Sequence, residues 1–326
     1  MIETDVAVTA AGRGVSAGDD GDAAVSAPTP VISLKPVVLP APGRGEDLRV
    51  RVSAPAVGRD LPVIVFSHGF GWSMDGYAPL ADYWAAHGFV VIQPTHLDSR
   101  TLSLPPEDPR TPLIWRHRVE DMKRVLDQLD ILEAAVPGLG GRLDRGRIAA
   151  AGHSWGGQTA SMLLGARVLD PEGGPGEDMS DSRIKAGVLL ATPGRGGAEL
   201  SPFAAEHFPF MNPSFADMTT PTLVVAGDRD QSHLTARGPE WFTDPYFLSP
   251  GGKSLLTLFG AEHSLGGIAG YDVAETTDEH PGRVALLQRL TWAYLRHVFS
   301  PEDPAWLAAR SALADDPEPL GRIESD

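Results

Sequence analysis

The chain has no cysteine, which excludes a disulfide framework, a thiolate nucleophile and any Cys-ligated metal. Lysine is almost missing as well: Lys35, Lys123, Lys185 and Lys253 are its only examples among 27 basic residues. We read that scarcity as a coding bias of the genome rather than a binding signal. Positive charge is outweighed overall, and a net −16 at pH 7 argues against nucleic acid and against anionic membrane surfaces, which repel an acidic protein. No stretch approaches the ~20 apolar residues of a membrane span. The first 30 residues lack both a basic start and an apolar run of signal-peptide length, so no secretory signal and a cytoplasmic location are expected. With Asp5, Asp19, Asp20 and Asp22 set among Ala, Gly and Ser, residues 1–30 are expected to be a disordered acidic tail, because they bury too little apolar surface to offset their ordering entropy. Metal and cofactor signatures are missing too. There is no H-E-x-x-H, Glu172, Glu177, Asp178 and Asp181 form no calcium loop, and the glycines near 138–141 and 194–197 fit neither a dinucleotide nor a phosphate-loop fingerprint. No metal and no cofactor are expected.

What is present is 326 residues, 42% hydrophobic, enough to bury a large core in one α/β domain. Residues 31–326 are expected to form it. Short apolar runs at 31–34, 61–66, 89–92, 147–151, 184–190, 222–226 and 254–259 read as strands. Residues 48–52 alternate apolar with basic side chains, the pattern of an exposed edge strand. Helical spacing covers 77–87, stopped by Gly88, then 113–136, 158–164, 283–299 and 304–313. Apolar strands alternating with helices imply a mostly parallel sheet flanked by helices on both faces. Only residues 195–220 separate two strands where a lid could be inserted, so a small cap or none is expected.

The stretch Gly152-His153-Ser154-Trp155-Gly156-Gly157 lies between the strand at 147–151 and the helix at 158–164. Strand, sharp turn, serine, helix is a nucleophile elbow: glycines let the helix pack close, and the hydroxyl stands clear of the backbone. A serine needs a base within hydrogen-bond reach, itself oriented by a carboxylate. Candidates follow two later strands, as Gly227-Asp228-Arg229-Asp230 and as Gly260-Ala261-Glu262-His263. The order Ser, acid, His and the placement past strand ends suit a site at one edge of the sheet. Asp228 and Asp230 compete as the acid; the first Asp of G-D-x-D commonly serves its own turn, which favours Asp230. Glu262 is read as facing solvent, and His68 and His153 as bracing turns. An oxyanion hole would take one backbone N–H from Trp155 and another from Phe70, in the loop after the strand at 61–66.

These segments, with Phe66-Ser67-His68-Gly69-Phe70, resemble the α/β-hydrolases. The likeness is greatest to the branch of dienelactone-hydrolase-like esterases, chlorophyllases, platelet-activating-factor acetylhydrolases and cutinase-like polyesterases. That resemblance implies a cofactor-independent carboxylic-ester hydrolase, with Ser154 as nucleophile, His263 as base, Asp230 as acid, and Phe70 and Trp155 as oxyanion donors. A small-molecule ester with an apolar acyl or aromatic group is the expected substrate; a thioesterase, lactonase or acyltransferase would use the same parts, and a binding protein on the same scaffold would keep the fold alone. His96, Trp115, Phe203, Phe208 and Phe210 are candidates for the substrate pocket, each also readable as ordinary loop packing.

Overall fold

The computed structural model describes residues 5–9, 27–105, 107–170, 174–270 and 276–326. In chain order its strands are β1 (Asp5–Thr9), β2 (Val31–Leu39), β3 (Leu48–Pro55), β4 (Leu61–Ser67), β5 (Val90–Pro94), β6 (Leu143–His153), β7 (Arg167–Val168), β8 (Ile184–Leu190), β9 (Pro213–Ser214), β10 (Thr222–Gly227), β11 (Lys253–Leu258) and β12 (Gly321–Ser325). The helices are α1 (Ala78–Ala86), α2 (Ile114–Asp127), α3 (Leu129–Ala135), α4 (Trp155–Leu163), α5 (Pro202–His207), α6 (Asp244–Phe247), α7 (Pro281–Phe299) and α8 (Ala305–Ala314).

Ten strands form the main sheet in the order β1-β2-β3-β5-β4-β6-β8-β10-β11-β12. From β5 through β11 every pairing is parallel, whereas β1, β2, β3 and β12 join antiparallel at the two ends. Residues of β5, β8, β10 and β11 are buried with almost no alternation, as strands covered on both faces must be. The cover comes from helices: α1 packs on α7, and α2 on α4. Because β4, β6, β8, β10 and β11 run parallel, their C-terminal ends share one edge of the sheet, the edge at which such sheets build sites.

Four details differ from the pattern of the sequence. β3 lies between β2 and β5 and is no edge strand. Its alternation reports burial on one face only, which an inner antiparallel strand also has; Arg51 uses the open face to reach Asp82 at 2.6 Å and Ser33 Oγ at 2.8 Å. The long helix expected over 113–136 breaks at Gln128, whose φ/ψ of −119°/26° separates α2 from α3. The buried stripe Met122, Val125, Leu126, Leu129, Leu132 runs straight through that break, so periodicity carries no trace of it. Within residues 1–30, expected as a disordered tail, Asp5–Thr9 pairs with the open edge of β2; residues 1–4 and 10–26 lie outside the described residues. Finally, β12 pairs with β11 although Gly-Arg-Ile-Glu-Ser has no apolar run, since a charged edge strand needs none. Among the described residues no helix is long and apolar enough to cross a membrane.

Candidate active site

Ser154 sits between β6 and α4 with φ 55° and ψ −122°, a strained conformation that costs on the order of 1–3 kcal/mol and persists only where the surroundings enforce it. Close packing provides the enforcement. A Cβ on Gly156 would lie 1.9 Å from the Ser67 carbonyl oxygen, and one on Gly152 would lie 2.1 Å from that of Gly156. Glycine at both positions lets α4 approach β4 and β6 closely, which fixes the turn and lifts the serine hydroxyl out of it.

The loops after β10 and β11 bring the expected partners to this hydroxyl. His263 Nε2 lies 2.9 Å from Ser154 Oγ, and His263 Nδ1 lies 2.9 Å and 3.2 Å from the two carboxylate oxygens of Asp230. A carboxylate only accepts, so Nδ1 carries the proton and the Nε2 lone pair faces the serine. Asp230 is fully buried. Burial raises its pKa, against the pull of the hydrogen bond and charge of His263. Asp228 is exposed and accepts a hydrogen bond from Gly260 N at 2.7 Å; it ties two loops together rather than closing its own turn. Glu262 is half-buried and accepts a hydrogen bond from Thr277 Oγ1 instead of simply facing solvent. Two contacts around His263 had no motif to announce them. The Phe242 ring packs 5.5 Å from the imidazole, and Asp278 accepts from Glu262 N and Gly266 N at 2.8 Å and 2.9 Å, holding the loop on both sides of it.

Phe70 and Trp155 come together across the site, with ring centroids 4.5 Å apart. Among the described residues neither backbone N–H donates to a protein acceptor, which leaves both free for a ligand oxygen. A buried polar network supports the loop that carries Phe70. Arg118 is ion-paired with Asp98 at 2.7 Å and donates to the His68 carbonyl, and Asp98 accepts from Gly71 N at 3.1 Å. Burial, the largest single influence, opposes ionisation of Asp98, but the Arg118 guanidinium, the neighbouring His68 and His96 and the Gly71 N–H together outweigh it and lower the carboxyl's pKa. Behind this pair, Asp121 binds Arg44 at 2.7 Å and His96 Nδ1 at 3.1 Å, and His96 Nε2 accepts from Ser67 Oγ at 2.9 Å.

His96 is therefore not a pocket residue. It is fully buried in that network, where its backbone N–H donates to His68 Nε2 at 3.0 Å and the two imidazole centroids lie 4.8 Å apart. Trp115, Phe208 and Phe210 do line a groove, of about 1020 Å³, that starts at Phe70 and Trp155 and is also lined by residues between Asp98 and Pro112. Trp155 packs on Phe208 and Phe210 with centroids 5.0 Å and 5.4 Å away. Phe203 stays outside the groove; 48% exposed, it stacks on His207 at 4.5 Å. Phe208 and Phe210 arrive on the 195–220 segment, which β9 pins to the body by pairing with β7. No cluster that could hold a metal is present among the described residues; Glu177, Asp178 and Asp181 face Arg116, Arg167 and Arg183 instead, and Glu172 lies outside the described residues.

A mostly parallel sheet, helices on both faces and a serine elbow at the C-terminal edge define the α/β-hydrolase fold. Within that class, the chlorophyllase family profile matches residues 44–168, a stretch that includes Phe70, Ser154 and Trp155. The chain is 27% identical over 201 residues to a cutinase, est2, of Thermobifida alba, covering 61% of this chain and 52% of that protein. It is 27% identical over 168 residues to the platelet-activating factor acetylhydrolase of Cavia porcellus, covering 41% of this chain and 35% of that one. The chain thus spans about half the length of the first relative and about a third of the second.

Proposed function

We propose that the protein is a carboxylic-ester hydrolase working through an acyl-enzyme on Ser154. The observation that carries this reading is the continuous chain from Ser154 Oγ through His263 to Asp230, with both links at 2.9 Å. His263 Nε2 takes the hydroxyl proton as Ser154 attacks the ester carbonyl, and returns it to the leaving alcohol oxygen. The desolvated Asp230 carboxylate stabilises the transient imidazolium more strongly than a solvated one would. The oxyanion sits between the N–H groups of Phe70 and Trp155, each donor contributing roughly 100- to 1,000-fold in rate. A water that gives its proton to His263 then releases the acid. The aromatic groove beside Trp155 supports a neutral substrate with an apolar acyl or aromatic group, and the names of the related cutinase and acetylhydrolase point to ester chemistry.

Replacing Ser154 by Ala is expected to abolish hydrolysis of p-nitrophenyl butyrate while leaving the circular dichroism spectrum and melting temperature of the wild type. Full residual activity would sink the proposal.

A further inference from the structure

Tyr77 and His153 are placed for a task the triad leaves unassigned. Tyr77 is fully buried and holds a left-handed backbone, φ 64° and ψ 23°, at the start of α1. A bulky non-glycine residue rarely accepts that conformation, and residues held in it cluster at functional sites. Here the turn aims the phenol at Gly69, whose N–H donates to Tyr77 Oη at 3.0 Å. The same hydroxyl lies 2.9 Å from His153 Nδ1, and His153 Nε2 lies 2.8 Å from the His263 backbone carbonyl.

The position of every proton in this chain follows from the partners. The His263 carbonyl only accepts, so His153 Nε2 carries a hydrogen. Tyr77 Oη already accepts from Gly69, so its own hydrogen goes to Nδ1, which must be unprotonated. His153 is therefore a neutral imidazole with its proton on Nε2. Burial first, and then the neighbouring His263, hold its pKa down at about 3, so the ring stays neutral at pH values well above that. The three segments joined are the loop carrying Phe70, the elbow carrying Ser154 and the loop carrying His263. Space is tight as well: a Cβ on Gly69 would come within 2.9 Å of the Tyr77 hydroxyl and 3.4 Å of His153 Nδ1.

We infer that Tyr77 and His153 form a neutral hydrogen-bonded clamp that sets the distance between the oxyanion donor and the general base around Ser154. Neither touches the reacting atoms; both are positioning residues. The inference rests on the ester-hydrolase reading and adds to it the device that keeps separate loops in register.

The test compares wild type, Tyr77→Phe and His153→Gln with p-nitrophenyl butyrate, with Ser154→Ala as the blank. Tyr77→Phe keeps the ring and its packing on Phe66 at 4.8 Å but removes the hydroxyl from both hydrogen bonds. The expected result is a kcat lower by tenfold or more with KM within about twofold, and inhibition by a boronic acid, which needs the oxyanion donors, weakened by a similar factor. A kcat within twofold of wild type would overturn the clamp while leaving the ester-hydrolase reading intact. Wild type as inactive as Ser154→Ala would overturn that reading and the positioning role together. Nitrogen-15 shifts of His153 supply a readout that no unfolded variant can confuse: at pH 5 the clamp requires a neutral ring protonated on Nε2, and a doubly protonated ring would overturn it.

Discussion

Lowering the pH from 7.5 to 5.5 should weaken the fold by an amount readable from three side chains. His68, His96 and His153 are all buried, and burial, the largest cause in each case, lowers their pKa values, that of His153 to about 3. Each keeps a neutral ring inside the fold, whereas the unfolded chain's histidines titrate near 6.5. Above about pH 6.5 both states are neutral and the full stability is present. As the pH falls toward the folded pKa values the unfolded state alone takes up protons, and stability is lost. For one such histidine the loss between pH 7.5 and 5.5 is on the order of 1 kcal/mol, and the three add in the same direction, a noticeable share of a typical 5–15 kcal/mol. Half-buried His87, also lowered by burial, adds a smaller part in the same direction. Asp121 and Asp230, raised mainly by burial, act with the opposite sign; their influence begins nearer the ordinary carboxylate range. Urea unfolding followed by tryptophan fluorescence at the two pH values measures the difference. Midpoints that coincide, or a higher midpoint at pH 5.5, would refute the assignment of three neutral buried rings. His153→Gln should shrink the drop by about a third.

Three substitutions test the carboxylates. Asp230→Asn should lower kcat by on the order of 10⁴-fold by favouring the wrong imidazole tautomer, whereas Asp228→Asn should stay within about tenfold because it loses only the link to Gly260 N; steady-state kinetics giving the reverse ranking would exchange their roles. Asp121→Asn leaves the fully buried Arg44 guanidinium without its counter-ion, a loss of about 3–5 kcal/mol. For 326 residues at about 2.1 cal/mol/K each, that is a fall of roughly 4–7 °C in Tm by calorimetry, and an unchanged Tm would show the pair to be dispensable.

Local chemistry explains which parts were legible beforehand. The parallel strands β4, β5, β8, β10 and β11 left apolar runs visible to within a residue or two, whereas β6, expected over 147–151, begins at Leu143 because its first residues are not buried. The elbow was visible because its glycines answer a steric demand made within a few residues. β12 left no such mark, since Gly321–Ser325 gains its place from backbone pairing with β11, and pairing is open to almost any sequence. Among the pocket candidates, Trp115, Phe208 and Phe210 line the groove, while His96 and Phe203 do not. Residue type alone cannot separate a wall from a support.

By itself the sequence determined the alternation of strands and helices, the strained turn at Ser154, and the order in which Asp230 and His263 follow it. Those features depend on neighbours within a turn or a strand. Tertiary structure alone decided that Arg118 and Asp98 hold the loop of Phe70, that Tyr77 and His153 link it to the loop of His263, and that the chain after β5 buries His96 instead of exposing it. These contacts join separate segments, from eight to more than a hundred residues apart, through a few polar atoms or one ring. Such contacts impose no period and no spacing on the chain, so they exist only once the sheet has brought the strand ends together.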